Sequence, residues 1–262
     1  MIRKFLIAVT LVFFCGVLAN AQGDKNKPAE REKAEAIISK AVSRLGGERY
    51  LHVTSQVGHG KFSVLREHAV ISFQTFYDVI VFPYKERTEF KGGGSRTVQG
   101  NTGNTGWVFD GDKEVIKDQD ATQTANFLQG VKTSLDNLLR GYWKGEAELS
   151  YVGRRPASLG KRNDVVSLRY KDGFTVEFEF SDDGLPQKSL YKRSNPDGEP
   201  ITEEDRYAQF VEIDGIYAPF IIDRFTNGDQ SSRINYESVE FNKPIPDSFF
   251  AKPASVKDAK KD

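Results

Sequence analysis

Between Val165 and Asn242, apolar and polar residues alternate through one short segment after another. The sharpest example sets Phe174, Val176, Phe178 and Phe180 against Thr175, Glu177, Glu179 and Ser181. Side chains of a strand point to opposite faces with a period of two, so this segment writes one apolar wall and one hydrated wall. Asp172-Gly173, Asp183-Gly184, Pro196-Asp197-Gly198, Asp214-Gly215 and Asn227-Gly228 separate the strands with turn chemistry. Gly following Asp or Asn, with little sequence between strands, favours short antiparallel hairpins. A chain so patterned folds as an antiparallel sheet, and the question becomes what covers its apolar wall.

The same period runs from Val53 to Lys117. Ile71 to Phe82 carries apolar residues on both faces, which suits a central strand covered on both sides. Two segments break the pattern with a helical period. Ala29 to Leu45 places Ala34, Ile37, Ile38, Ala41, Val42 and Leu45 at steps of three and four, and Gly46-Gly47 supplies a stop. Asp120 to Lys144 aligns Phe127, Leu128, Val131, Leu135, Leu138, Leu139, Tyr142 and Trp143, with Asp120 and Gln123 spaced as a capping box. Gly130 weakens this second helix and offers a point at which it divides in two.

The expected architecture is therefore mainly β, of α+β type, with about eleven or twelve strands in meander order and two helical segments. A long antiparallel sheet twists and curls, which leaves a concave face that the two amphipathic helices are suited to lid. If they fill it tightly, the result is a stable domain; if only in part, an apolar cavity remains that suits acyl chains or other lipids. The candidate wall residues are Phe73, Phe76, Phe127, Val131, Leu135, Val176, Phe178 and Phe180. Core packing is the plain alternative for each of them.

Arg3 and Lys4 precede an apolar run from Phe5 to Leu18 and then Ala19-Asn20-Ala21, the pattern of an export leader cleaved after Ala21. The run is shorter than the roughly 20 residues a membrane span needs. Cys15, the only cysteine, lies inside that leader, so the mature chain is expected to have no disulfide, thiol nucleophile or thiolate metal site. Removing the leader's two basic residues from a balance of 37 basic and 37 acidic leaves a net charge of about −2, which is no footprint for nucleic acid. The expected organisation is a leader (1–21), a polar linker (22–28), a single domain (29–253) and a loose charged tail (254–262).

Signals for catalysis are poor. His52, His59 and His68 lack the spacing of a metal-binding helix, and no nucleophile elbow accompanies them. The glycine tracts at 92–94 and 100–106 lack the Lys-Ser/Thr ending of a phosphate loop. The acidic turns at Asp182-Asp183 and Glu203-Glu204-Asp205 lack the spacing of a calcium loop. No enzyme activity, cofactor or metal is expected.

Several short motifs, in order, resemble the periplasmic outer-membrane lipoprotein-carrier and lipoprotein-sorting family. They are the N-terminal helix ending in Gly46-Gly47, Phe82-Pro83-Tyr84-Lys85-Glu86-Arg87, Gly106-Trp107-Val108-Phe109-Asp110-Gly111, and Asp182-Asp183-Gly184-Leu185-Pro186. Tyr207, Asp214-Gly215-Ile216-Tyr217-Ala218-Pro219, and Asn242 with Phe249-Phe250-Ala251-Lys252-Pro253 complete the set. The resemblance implies an incompletely closed β-barrel lidded by helices, periplasmic and monomeric. Such a protein binds lipid or acylated protein cargo without chemistry on it and meets membrane-bound donor and acceptor proteins. It matches Arg87 to a basic residue that latches the lid or meets a polar lipid group, with a surface ion pair as the plain alternative. The long hairpin from Ser194 to Asp205 departs from a minimal carrier. An envelope sensor or protein-interaction module on the same fold, with no transported lipid, is the second reading.

Overall fold

The computed structural model describes residues 27–158, 160–195 and 197–260; the expected leader lies outside the described residues. Strands β1 (Ser55–Arg66), β2 (Ala69–Val81), β3 (Lys85–Gly92), β4 (Ser95–Thr102), β5 (Thr105–Asp110) and β6 (Val115–Asp118) form a first meander. A second comprises β7 (Ala147–Pro156), β8 (Arg162–Tyr170), β9 (Thr175–Phe180), β10 (Pro186–Ser194), β11 (Pro200–Ile213), β12 (Ile216–Thr226) and β13 (Asp229–Phe241). Both run antiparallel to their neighbours, and β1 pairs with β13 to merge them into one curved 13-stranded sheet with β6 and β7 as unjoined edges. The strand count exceeds the expected eleven or twelve because even the four-residue β6 pairs along its whole length with β5.

The stretch from Ser194 to Asp205 is less of a loop than the sequence suggests. β10 and β11 stay in register out to Ser194 opposite Pro200, so the hairpin is an extension of the sheet.

Helices α1 (Lys27–Leu45), α2 (Glu48–Leu51), α3 (Ala121–Thr133) and α4 (Leu135–Leu139) join the strands. α1 begins inside the expected linker, with Pro28 in its first turn, where a missing N–H costs nothing. Its small residues set its seat: Ala34 and Ala41 are fully buried, and they share a core with Leu149, Val166, Leu168, Val176, Phe178 and Phe180. The sheet face that bears α1 is termed inner here.

α1 stops where Gly47 donates its N–H to the Val42 carbonyl at 2.8 Å, a bond that closes the last helical turn. Gly46 holds φ +126°, and a Cβ there would lie 2.5 Å from the Gly215 carbonyl in the β11–β12 turn. We expect Gly46→Ala to lower stability by about 1–3 kcal/mol, since both backbone conformation and space are denied. Gly47→Ala meets open space at φ +60° and should cost only about 1–2 kcal/mol. Urea unfolding of the two variants checks the order; equal losses would show that contact with Gly215 contributes nothing.

The helical insertion divides at Ser134 rather than at Gly130. Ser134 takes an extended conformation, ends α3, and accepts a hydrogen bond from the Asn137 N–H at 3.1 Å as the cap of α4. Its cap, absent at Gly130, decides the position of the break. The Asp120–Gln123 capping box forms as the spacing suggests.

The outer face of β1–β5 is covered by the C-terminal segment. A 3-10 turn at Asp247–Phe250 places Phe250 against Val57 and Val79, and Trp107 donates its indole N–H to the Phe250 carbonyl at 2.8 Å. A last helix, α5 (Val256–Ala259), seats Ala259 with Val98, Trp107 and Phe109. Residues 254–260 are thus docked, against the expectation of a loose tail, because Val256 and Ala259 fall on one side of a helical turn.

Candidate ligand-binding site

Three helical pieces cover the inner face, and they pack with different tightness. α1 and α4 are embedded: Leu135, Leu138, Leu139 and Trp143 join the core of β7–β9. α3 is looser. Only Thr133 is buried along it, while Phe127, Leu128 and Val131 remain half-buried. The helix leaves the β6 edge at Asp120 and ends beside β8, so it crosses from one meander to the other.

The far end of α3 is tied down by polar contacts. Tyr170 donates its hydroxyl to the Lys132 carbonyl at 3.0 Å and accepts from Asn137 Nδ2 at 2.7 Å. Burial pushes the Tyr170 hydroxyl up to about 12, so it stays a neutral donor. Lys132 Nζ lies 3.0 Å from Asp172 Oδ2 and holds that carboxyl below its usual range. This exposed pair contributes little energy and adds a contact at the end that Ser134 sets.

Beneath α3 lies a cavity of about 480 Å³, lined from the lid by Leu128 and Val131, from the β8 side by Tyr170, and from the opposite meander by Tyr84. Trp143 and Tyr142 form its back wall, and its rim carries Lys132, Lys171, Asp172 and Glu146. Its size falls within the roughly 300–1,000 Å³ of small-molecule pockets, and its apolar floor with a polar rim suits an amphiphile.

The candidate wall residues separate into four groups. Val176, Phe178, Phe180 and Leu135 are buried in the core under α1 and α4, where the chain's own side chains contact them. Phe127 and Val131 stand on the lid, and Phe76 lies on the inner face of β2, edge-on to Tyr236 with ring centres 5.2 Å apart. Phe73 falls on the opposite face and is 53% exposed. The structure therefore brings Val131 to the cavity and leaves Phe73 outside the inner face altogether.

Arg87 is also on the outer face. It is buried, 4.5 Å over the ring of Phe249 and 6.0 Å from that of Trp107, so it anchors the C-terminal segment and not the lid. The latching role on the inner side belongs to Arg140, just after α4. Its Nη1 donates to the carbonyls of Tyr50 at 2.6 Å and Val53 at 3.0 Å, and its Nε donates to Asp136 Oδ1 at 2.7 Å. A cation isolated within the stripe from Leu135 to Trp143 was the available signal for it.

No family model and no curated protein matches the chain by sequence. Solved structures do match it. A DUF1329 family protein from Desulfovibrio piger superposes with a TM-score of 0.59 at 13% identity, over 83% of this chain and 97% of that one. A domain assigned to outer membrane lipoprotein sorting, from Vibrio parahaemolyticus, gives 0.56 at 10% identity over 84% and 97%. The fold is that of the lipoprotein-sorting proteins. A LolA superfamily protein from Nitrosomonas europaea agrees, with a TM-score of 0.55 at 16% identity over 84% of this chain and 97% of its own. Within the lipoprotein-sorting fold as built here, the two meanders are the half-barrel and α1, α3 and α4 are its cover.

Proposed function

We propose that this protein is an exported, non-catalytic carrier that holds lipid or acyl chains, including those of acylated proteins, in the cavity beneath α3. The observation that carries this reading is the contrast between α1, which buries Ala34, Ala41 and Leu45 in the sheet's core, and α3, which buries only Thr133 and turns Leu128 and Val131 to the open cavity of about 480 Å³. A helix that covers apolar space loosely leaves its apolar face available to a guest, which a core helix does not. Lipid or acylated cargo, handed over by membrane-bound donors and acceptors, and a periplasmic address follow from the same reading.

Native mass spectrometry of protein purified from its own envelope, together with titration of a fluorescent fatty-acid probe, tests the proposal. We expect copurifying lipid and saturable probe binding. Leu128→Asp should weaken the probe about tenfold or more, because a carboxylate on the cavity wall must be desolvated against the acyl chain. Its melting temperature should shift little, since Leu128 is only half-buried. Absence of both lipid and probe binding would sink the carrier reading.

A further inference from the structure

Beyond the cavity under α3, the inner face carries a belt of polar groups that an acyl chain alone does not require. Asp78 on β2 stands opposite Thr88 on β3, and Glu86 is two residues along the same face. Across the merged sheet, Asp205 on β11 stands opposite Arg224 on β12. Tyr191, Tyr207 and Tyr236 share this face, and all three hydroxyls are pushed up first by burial. Each nevertheless keeps part of its surface open, the combination expected of groups that line a hollow.

Charge in the belt is unbalanced. Arg224 Nε lies 3.6 Å from Asp205 Oδ1 and Arg193 Nη2 lies 2.6 Å from Glu203 Oε1, so both of these cations have a carboxylate, and among the described residues neither Asp78 nor Glu86 has an ion-pair partner. Thr88 Oγ1 lies 2.7 Å from Asp78 Oδ1 and 3.2 Å from Glu86 Oε1, and one hydroxyl hydrogen serves only one of them. Asp78 is 7% exposed, so water gives it little help.

The aromatic rings beside the pair are a separate matter of construction. A Cβ at Gly58 would lie 2.5 Å from the Tyr236 ring, and one at Gly60 would lie 2.8 Å from the Phe76 ring. Two glycines on β1 thus leave room for both rings over the strand, set edge to face at 82° and beside Asp78. Burial pushes both the Asp78 and the Glu86 carboxyls up, so a cation arriving beside them would favour their charged forms, and carboxyls so placed next to aromatic rings form the surroundings in which ammonium groups bind. We propose that this belt receives the ammonium group of a cationic or zwitterionic amphiphile, with Asp78 and Glu86 as its counter-charges and Tyr236 and Phe76 as its aromatic wall. The inference rests on the carrier reading and specifies the head group of the cargo.

Decyl chains bearing three heads separate the two claims: trimethylammonium, sulfate and neutral maltoside, each titrated below its micelle concentration against the full chain. We expect the ammonium ligand to bind about tenfold or more tightly than the sulfate. Asp78→Asn with Glu86→Gln should bring that ratio near one and leave maltoside affinity unchanged. Maltoside binding with no ammonium preference would overturn the head-group assignment and spare the carrier reading, whereas failure of all three ligands would remove both. The wild-type series decides even if the double variant folds poorly, and a folded variant that keeps the preference would equally overturn the assignment.

Discussion

Phe178→Asp is expected to leave this protein unfolded at room temperature. Phe178 is fully buried in the centre of β9, opposite Val166 on β8 and Ser189 on β10, in the core shared with Ala34 and Ala41 of α1. The substitution forfeits about 3–5 kcal/mol of aromatic burial and packing. It also places a carboxylate in the apolar core of Val166, Leu168, Val176 and Phe180, adding several kcal/mol unless the group protonates. Domains hold about 5–15 kcal/mol in total, so the sum approaches or exceeds the stability available. Phe73→Asp is the matched control: same chemistry, same sheet, but a side chain already 53% in solvent. Its cost should stay within about 0.5 kcal/mol. Circular dichroism with urea titration reads both, and similar losses for the two would contradict the assignment of faces.

That pair of variants also marks what a reader of the sequence can and cannot see. Strict alternation, as in Thr175–Phe180, fixes both strand and face, and the turns at Asp214-Gly215 and Asn227-Gly228 fix the hairpins. β2 is apolar on both sides because Phe76 packs against Tyr236 on the inner face while the C-terminal segment covers Val79 on the outer one. Pattern alone therefore gives no means to tell Phe73 from Phe76, three residues apart and on opposite faces. The pairing of β1 with β13 joins residues about as far apart as the domain allows, and local chemistry carries no mark of it. The docked C-terminus is hidden for a different reason: Val256 and Ala259 are two small apolar residues among lysines and aspartates, too few to show a period. Arg87 is drawn away from its expected latching role because a distant segment, Asp247–Phe250, buries it and determines what it meets.

Arg140→Met should cost about 3–5 kcal/mol, an effect larger than its position after a short helix suggests. The side chain is 3% exposed, and its guanidinium lies 4.3 Å over the Tyr50 ring and 4.5 Å over that of Phe82. It donates to carbonyls of the segment between α2 and β1, and to Asp136, which also accepts the Tyr50 hydroxyl at 2.9 Å. Desolvation works against the charge, but Asp136 outweighs it and holds the Arg140 pKa above its ordinary value. Methionine fills the stem's space while leaving a carboxylate without its cation and the carbonyls without their charged donor. Arg140→Lys keeps charge but not the fork that serves two directions at once, so it should recover only part of the loss. Arg140→Met combined with Asp136→Leu should lose less than Arg140→Met alone, because the orphaned carboxylate is then gone. Urea unfolding gives the energies, and hydrogen exchange gives the location: α2 and the start of β1 should open while β8 and β9 stay protected. An Arg140→Met loss below about 1 kcal/mol, or protection lost evenly over the sheet, would show that this contact does not hold the lid's base to the barrel.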